Sequence, residues 1–129
     1  GVYASIEAET AEMDLEEAQA LLDEFGVHEP GLQGVIRACY GALDLITFLT
    51  TGEDETRSWE VRRGATAPEA AGVIHTDLER GFIRTEVIGY DELVEAGSME
   101  AAKKHGKVRV EGKDYVVAEG DVMHVRFAV

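Results

Sequence analysis

A helix-start signal set between two runs of strand character restricts the fold more than any other feature of this chain. In "ATAPEAAGVIHTDLER", Thr66 and Glu69 stand three apart, the spacing of a capping box. Pro68 falls in the first turn, where its missing N–H costs little. Ala71, Ile74 and Leu78 then recur at helical spacing, which predicts a helix from Ala67 to about Glu79 with one face in the core. Before this helix, "ITFLT" and "RSWEV" flank the polar "TGEDET", the pattern of a β-hairpin. After it, "FIRTEVI" returns to strand character.

Two short helical pieces follow, "YDELVEAG" and "SMEAAKKHG", the second with Ser98 at its start and Lys103, Lys104 and Gly106 at its end. In the last run Met123, Val125 and Phe127 alternate with His124 and Arg126, marking a half-buried strand. Hairpin, helix, strand, irregular crossover and final strands make an α+β pattern, one helix laid across a mixed sheet. A β-grasp, the ubiquitin-like arrangement, is one of several folds with this order.

The first 45 residues read differently. "DLEEAQALLDEFG" predicts a helix with Asp14 as cap, Glu17 three residues on, and Gly26 as terminator. Leu32, Val35, Ile36, Cys39 and Leu43 predict a second amphipathic helix whose stripe buries Cys39 as an inert thiol. "GVYASIEAE" reads as the end of a strand.

Charge narrows the function classes. The net charge is −14, which opposes general electrostatic binding of nucleic acid. Residues 1–45 hold ten Asp/Glu against the single Arg37, whereas nine of the eleven cations beyond them lie between Arg57 and Arg109. A local basic face is therefore compatible with an acidic chain. No apolar run has the length of a membrane span, and the start lacks a basic-then-apolar leader. One cysteine cannot form an internal disulfide, which suits a reducing cytosol.

Metal or acid–base chemistry, phosphate-loop chemistry and RNA binding each demand a particular set of residues. His75 and Glu79 share a face of the expected helix while Asp77 points away, so the His/Asp/Glu cluster lacks a third metal ligand or an acid–base partner. It reads as a polar helix end, and no metal site is expected. No lysine is followed by Ser or Thr, so a G-x-x-x-x-G-K-[ST] loop does not occur, and without any asparagine there is no Asn-based nucleobase reader. Lastly, Arg57, Arg62, Arg63, Arg80 and Arg84 interleave with Trp59 and Phe82, side-chain types that meet phosphates and stack on bases. Alternation with Ser58 and Glu60 places Trp59 in the core instead, and Arg84 could pair across strands with Glu86.

Two long stretches carry a resemblance. "APEAAGVIHTDLERGFIR" and "EGKDY…EGDVMHVRF", within residues 46–129, strongly resemble the C-terminal TGS domain of the YchF family of Obg-like, ribosome-binding P-loop ATPases. Residues 1–45 resemble the tail of that family's nucleotide-binding domain, with "IEAE" followed by two closing helices. Tyr3-Ala4-Ser5 stands where the family tends to have Ser-Ala-Lys.

The resemblance implies a β-grasp TGS domain over 46–129, preceded by a short helical remnant of a P-loop NTPase domain over 1–45. It implies a cytoplasmic parent that uses ATP and magnesium and whose P-loop precedes this stretch. For the chain itself it implies no cofactor and no catalysis, and a module that docks on the ribosome, on RNA or protein. Arg62, Arg63, His75, Arg80 and Arg84 are the expected contacts. The alternative is an intramolecular regulatory domain that packs on the parent's nucleotide-binding domain and tunes its ATPase.

Overall fold

A computed structural model describes residues 3–52 and 55–128, and these divide into two compact units, Gly1–Leu43 and Asp44–Val129. The tip of the expected hairpin turn, Glu53 and Asp54, lies outside the described residues, as do Gly1 and Val2 at the expected strand end.

The first unit holds three helices where two were expected: α1 (Ala4–Thr10), α2 (Leu15–Glu24) and α3 (Gly31–Leu43). Residues 4–10 are thus helical. "ASIEAET" is rich in Ala and Glu, which favour helix over strand. The Gly31 N–H donates to Glu7 Oε1 at 2.6 Å, joining the start of α3 to α1. Asp14 occupies the cap position of α2 but makes no capping hydrogen bond.

The stripe predicted for α3 forms, yet it is not buried within the unit. Leu32 is 72% exposed, Leu43 64%, and Cys39 is exposed as well. Periodicity shows which residues share a helix face. It does not supply the surface that covers them.

The second unit is an antiparallel hairpin, β1 (Leu45–Thr51) and β2 (Thr56–Arg62), followed by α4 (Ala67–Ile74), α5 (Thr76–Arg80) and β3 (Phe82–Gly89). Then come α6 (Tyr90–Ala96), α7 (Met99–Lys104), β4 (Arg109–Glu111) and β5 (Asp121–Phe127). The strands form one sheet in the order β2-β1-β5-β3-β4, with β5 parallel to β1 and the other pairings antiparallel. A hairpin whose first strand pairs in parallel with the last strand of the chain is the β-grasp topology.

Register assigns the two faces. Ile46 and Phe48 of β1, Val61 of β2, Val87 of β3 and Met123 of β5 alternate onto one face, where all are buried. Against that face lie Ala67, Ala70 and Ala71 of α4, each fully buried, their small side chains letting the helix sit close to the sheet. Trp59 packs on this core, and its Nε1–H donates to Thr50 Oγ1 at 2.9 Å. At the start of α4 the Thr66 N–H donates to Glu69 Oε2 at 3.0 Å, the return half of the expected capping box.

On the opposite face, Ile88, Val122 and Leu49 are covered by Leu93, Ala96, Met99 and Ala102 of α6 and α7. Gly97 joins these two helices at φ 86, a left-handed conformation that costs glycine little. The Ser98 side chain then starts α7 by accepting from the Ala101 N–H at 3.0 Å. The rest of this second face is open.

Candidate functional site

The helix predicted over 67–79 is in fact two. His75 adopts an extended backbone, φ −163 and ψ 142, ending α4 and starting α5. Its Nδ1 accepts the Asp77 N–H at 3.1 Å and lies 3.7 Å from Asp77 Oδ2. Asp77 therefore sits beside His75 and not across a continuous helix from it, a correction to the reading from spacing. The cause is local: the imidazole offers the backbone a capping acceptor that competes with the next helical turn. Both side chains stay largely exposed, and among the described residues no three His, Cys, Asp or Glu side chains gather as metal ligands would.

The four arginines and one histidine expected at a docking surface occupy separate places. Arg62 ends β2 opposite Leu45, and Arg63 donates to Asp44 Oδ1 at 3.2 Å beyond it. Arg84 pairs in register with Arg126 near the end of β5, toward the opposite end of the sheet. Arg80 closes α5, just before the strand that leads to Arg84. His75 lies at the α4–α5 break. Phe82 is buried, and Trp59 packs on the core with Arg57 stacked 4.9 Å from its ring, so these aromatics are structural.

Sequence reasoning missed what gathers around Arg84. On the open second face Arg84 and Arg126 are cross-strand neighbours, and Glu86 and His124 form the next pair. Lys103 reaches down from α7 and donates to Glu86 Oε2 at 3.2 Å, while Arg126 Nη2 stands 3.6 Å from the same oxygen. Arg84 itself has no ion-pair or hydrogen-bond partner among the described residues. Glu86 thus pairs across strands with Arg126 and not with Arg84. Two elements more than fifteen residues apart supply these cations, so no linear motif could show them.

Burial pushes the Glu86 carboxyl up, but the Lys103 hydrogen bond and the charges of Lys103, Arg126 and His124 outweigh it. The group is held below the usual carboxylate range. Thr51, Gly52, Glu86, Met99, Lys103, His124 and Arg126 line a shallow depression of about 270 Å³ there.

The second quoted motif, "EGKDY…EGD", has a structural meaning. Tyr115 Oη donates to Asp121 Oδ2 at 2.6 Å, the Ala118 N–H donates to the same oxygen at 2.9 Å, and Arg109 Nη2 donates to Tyr115 Oη at 3.2 Å. Asp121 is only 4% exposed. Burial and the bond to Asp121 raise the Tyr115 phenol, and the bond to Tyr115 with the nearby carboxylates raises Arg109. This network fastens the 112–120 loop to the sheet.

A β-grasp sheet with one core helix, two short helices on the back and a cationic patch beside them defines a TGS-like β-grasp module. Residues 45–128 match the family profile described as "YchF-GTPase_C: Protein of unknown function (DUF933)". The chain belongs to the YchF family and corresponds to its C-terminal part. It is 52% identical over 128 residues to the "Ribosome-binding ATPase YchF" of Bacillus subtilis (strain 168), covering 99% of this chain and 35% of that protein. It is 43% identical to the "Obg-like ATPase 1" of Gallus gallus, covering 95% and 31%. Among solved structures, the Schizosaccharomyces pombe YchF GTPase superposes with a TM-score of 0.81 at 37% identity, covering 97% of this chain and 33% of that one. The chain thus spans about a third of the length of these relatives.

Proposed function

We propose that this chain is the non-catalytic docking module of a cytoplasmic, ribosome-binding ATPase and that it contacts the ribosome directly. The cationic patch around Arg84 on an otherwise acidic chain carries the reading, and the names of the relatives give it a setting. In that setting ATP and magnesium belong to the longer protein. The residues present here do not fit them: the chain has no P-loop sequence, and its described residues gather no metal-ligand set. Arg62, Arg63, His75, Arg80 and Arg84 remain the candidate contacts, with Arg84 the best placed.

Co-sedimentation of the chain with purified ribosomes over a salt series tests this. Pelleting at low salt that falls steeply as salt rises is expected. Absence of pelleting at low salt would end the docking reading.

One observation favours a second reading, an intramolecular regulatory role. Exposed apolar side chains of the second unit, Tyr90, Val94, Val110 and Phe127 among them, suit packing against the rest of a longer protein. Its signature is altered ATP turnover in a full-length relative that has lost its TGS portion but still binds ribosomes.

A further inference from the structure

We propose that β2, the open edge of the sheet, pairs antiparallel with β2 of a second copy of this chain, centred on Trp59. Such self-pairing does not depend on ribosome docking.

The hydrogen bonds of the hairpin show what the edge offers. The Gly52 N–H donates to the Glu55 carbonyl at one end, and the Arg63 N–H donates to the Asp44 carbonyl at the other, both at 2.8 Å. Antiparallel pairs alternate between bonded and non-bonded, so Arg57, Trp59 and Val61 exchange bonds with Thr50, Phe48 and Ile46. Thr56 and Ser58 fall in the non-bonded pairs, and their N–H and C=O point away from β1. β2 ends the strand order, and neither residue has a backbone partner on that side among the described residues.

The usual guards of an edge are missing here. β2 runs for seven residues, against three for β4 at the opposite edge. Its register with β1 is unbroken, and it contains no proline, lysine or glycine. An edge of this kind is a template for a further strand. Arg57 does not shield it, because its guanidinium lies back over the Trp59 ring, 4.9 Å from the centroid.

The sequence of the edge fits a copy of itself. A two-fold axis through Trp59, normal to the sheet, keeps the cores of both copies on the same face. The Ser58 N–H and C=O of each copy then meet the backbone of Glu60 in the other. The two Trp59 side chains become a non-bonded cross-strand pair, with Cα atoms about 4.5 Å apart, and aromatic pairs favour that spacing. Trp59 is only half-buried in one copy, so the pair covers apolar surface that a single chain leaves open.

Charge selects the same register. Glu55 of each copy faces Arg63 of the other, an opposite-charge pair formed twice. Moving the axis to Glu60 would set Glu60 against Glu60 and Arg57 against Arg63, like against like. From Glu55 to Arg63 three arginines stand against two glutamates, a net of +1. This strand is therefore spared the repulsion that a net charge of −14 imposes on contacts elsewhere. One strand pair buries little area, which places the dimer in the weak, transient class.

Analytical ultracentrifugation of the full chain from about 10 μM to about 1 mM, with amide exchange followed by NMR over the same range, tests this. The average mass should rise toward that of a dimer. The Thr56 and Ser58 amides should exchange more slowly as concentration rises, whereas the Trp59 amide, already bonded to Phe48, should change less. Ser58→Glu sets a carboxylate against Glu60 of the other copy, twice, and should weaken association by roughly tenfold. Ser58→Lys reverses that contact and should tighten association about threefold. Gln33→Glu and Gln33→Lys, the same charge changes at an exposed position on α3, should do neither.

A chain that stays monomeric over this range overturns the proposal. So does association with no slowing at Thr56 and Ser58, or with equal responses at Ser58 and Gln33. Association that ignores the Ser58 variants and is lost in Ile36→Ser lies on the exposed α3 stripe, and the edge assignment then fails.

Discussion

Removing one oxygen from the Tyr115 ring should measure how much the β4–β5 loop depends on the buried carboxylate beneath it. Tyr115→Phe keeps the ring against the core but deletes the 2.6 Å donor to Asp121 and the 3.2 Å acceptor for Arg109. Asp121 is 4% exposed, so water replaces the lost donor poorly, and the carboxylate keeps only the Ala118 N–H at 2.9 Å and Arg109 at 3.9 Å.

A hydrogen bond to a charged group contributes about 1.5–3 kcal/mol, and the nearby guanidinium can close on the carboxylate to recover part of it. The expected loss is about 2 kcal/mol, or roughly 8–15 °C in Tm for a domain of this size. Urea unfolding reports it well, because Trp59 is the one tryptophan of the chain and sits on the core of the same unit. Asp121→Asn and the double variant complete a cycle. If the network acts as a unit, the double variant loses about 1 kcal/mol less than the sum of the two single losses. A Tyr115→Phe midpoint within about 0.5 kcal/mol of the parent, or strict additivity, would refute the network as a fastening device.

Gly81→Ala should destabilise by about 1–3 kcal/mol in the same assay, because a Cβ there would collide with the backbone carbonyl of Ala128, which has no side chain to swing aside. Phe48→Ala empties a fully buried position in the core on β1 and should cost about 3–5 kcal/mol, checked by the denaturation midpoint. Glu86, with its carboxyl held below the ordinary range when folded, stabilises above the unfolded value and loses that contribution as pH falls through the folded one. The stability gap between the parent and Glu86→Gln should therefore be largest at neutral pH, at about 1 kcal/mol or less, and close on acidification below pH 5; a gap that widens in acid would reverse the sign.

Local signals were legible where local chemistry decides the outcome. Thr66, Pro68 and Glu69 announced the start of α4, and alternation in "DVMHVRF" announced β5. Both depend on residues within one turn or one strand. His75 shows where such reading stops. Spacing made it part of a helix, but its own imidazole captured the Asp77 N–H and broke the helix in two. Cys39 shows a different limit, since amphipathic period placed it on a stripe but not against anything.

The docking candidates divide along the same line. Their identity as exposed arginines followed from composition and alternation, whereas their grouping did not. Arg62 and Arg84 alternate onto the same face by register, yet they lie toward opposite ends of the sheet. Arg126 and Lys103, which the sequence reading passed over, stand next to Arg84.

By itself the sequence determined the hairpin, helix and strand order of the second unit, the start of the helix that crosses the sheet and the family to which the chain belongs. Each follows from short-range capping, from periodicity or from long specific motifs. The tertiary structure alone decided which charges meet. Strand order in a β-grasp places the last strand beside the first and third, so Arg126 joins Arg84, and Tyr115 and Arg109 close on Asp121. Coulomb and hydrogen-bond energies depend on distances of a few ångströms, and the fold sets those between residues far apart in the chain.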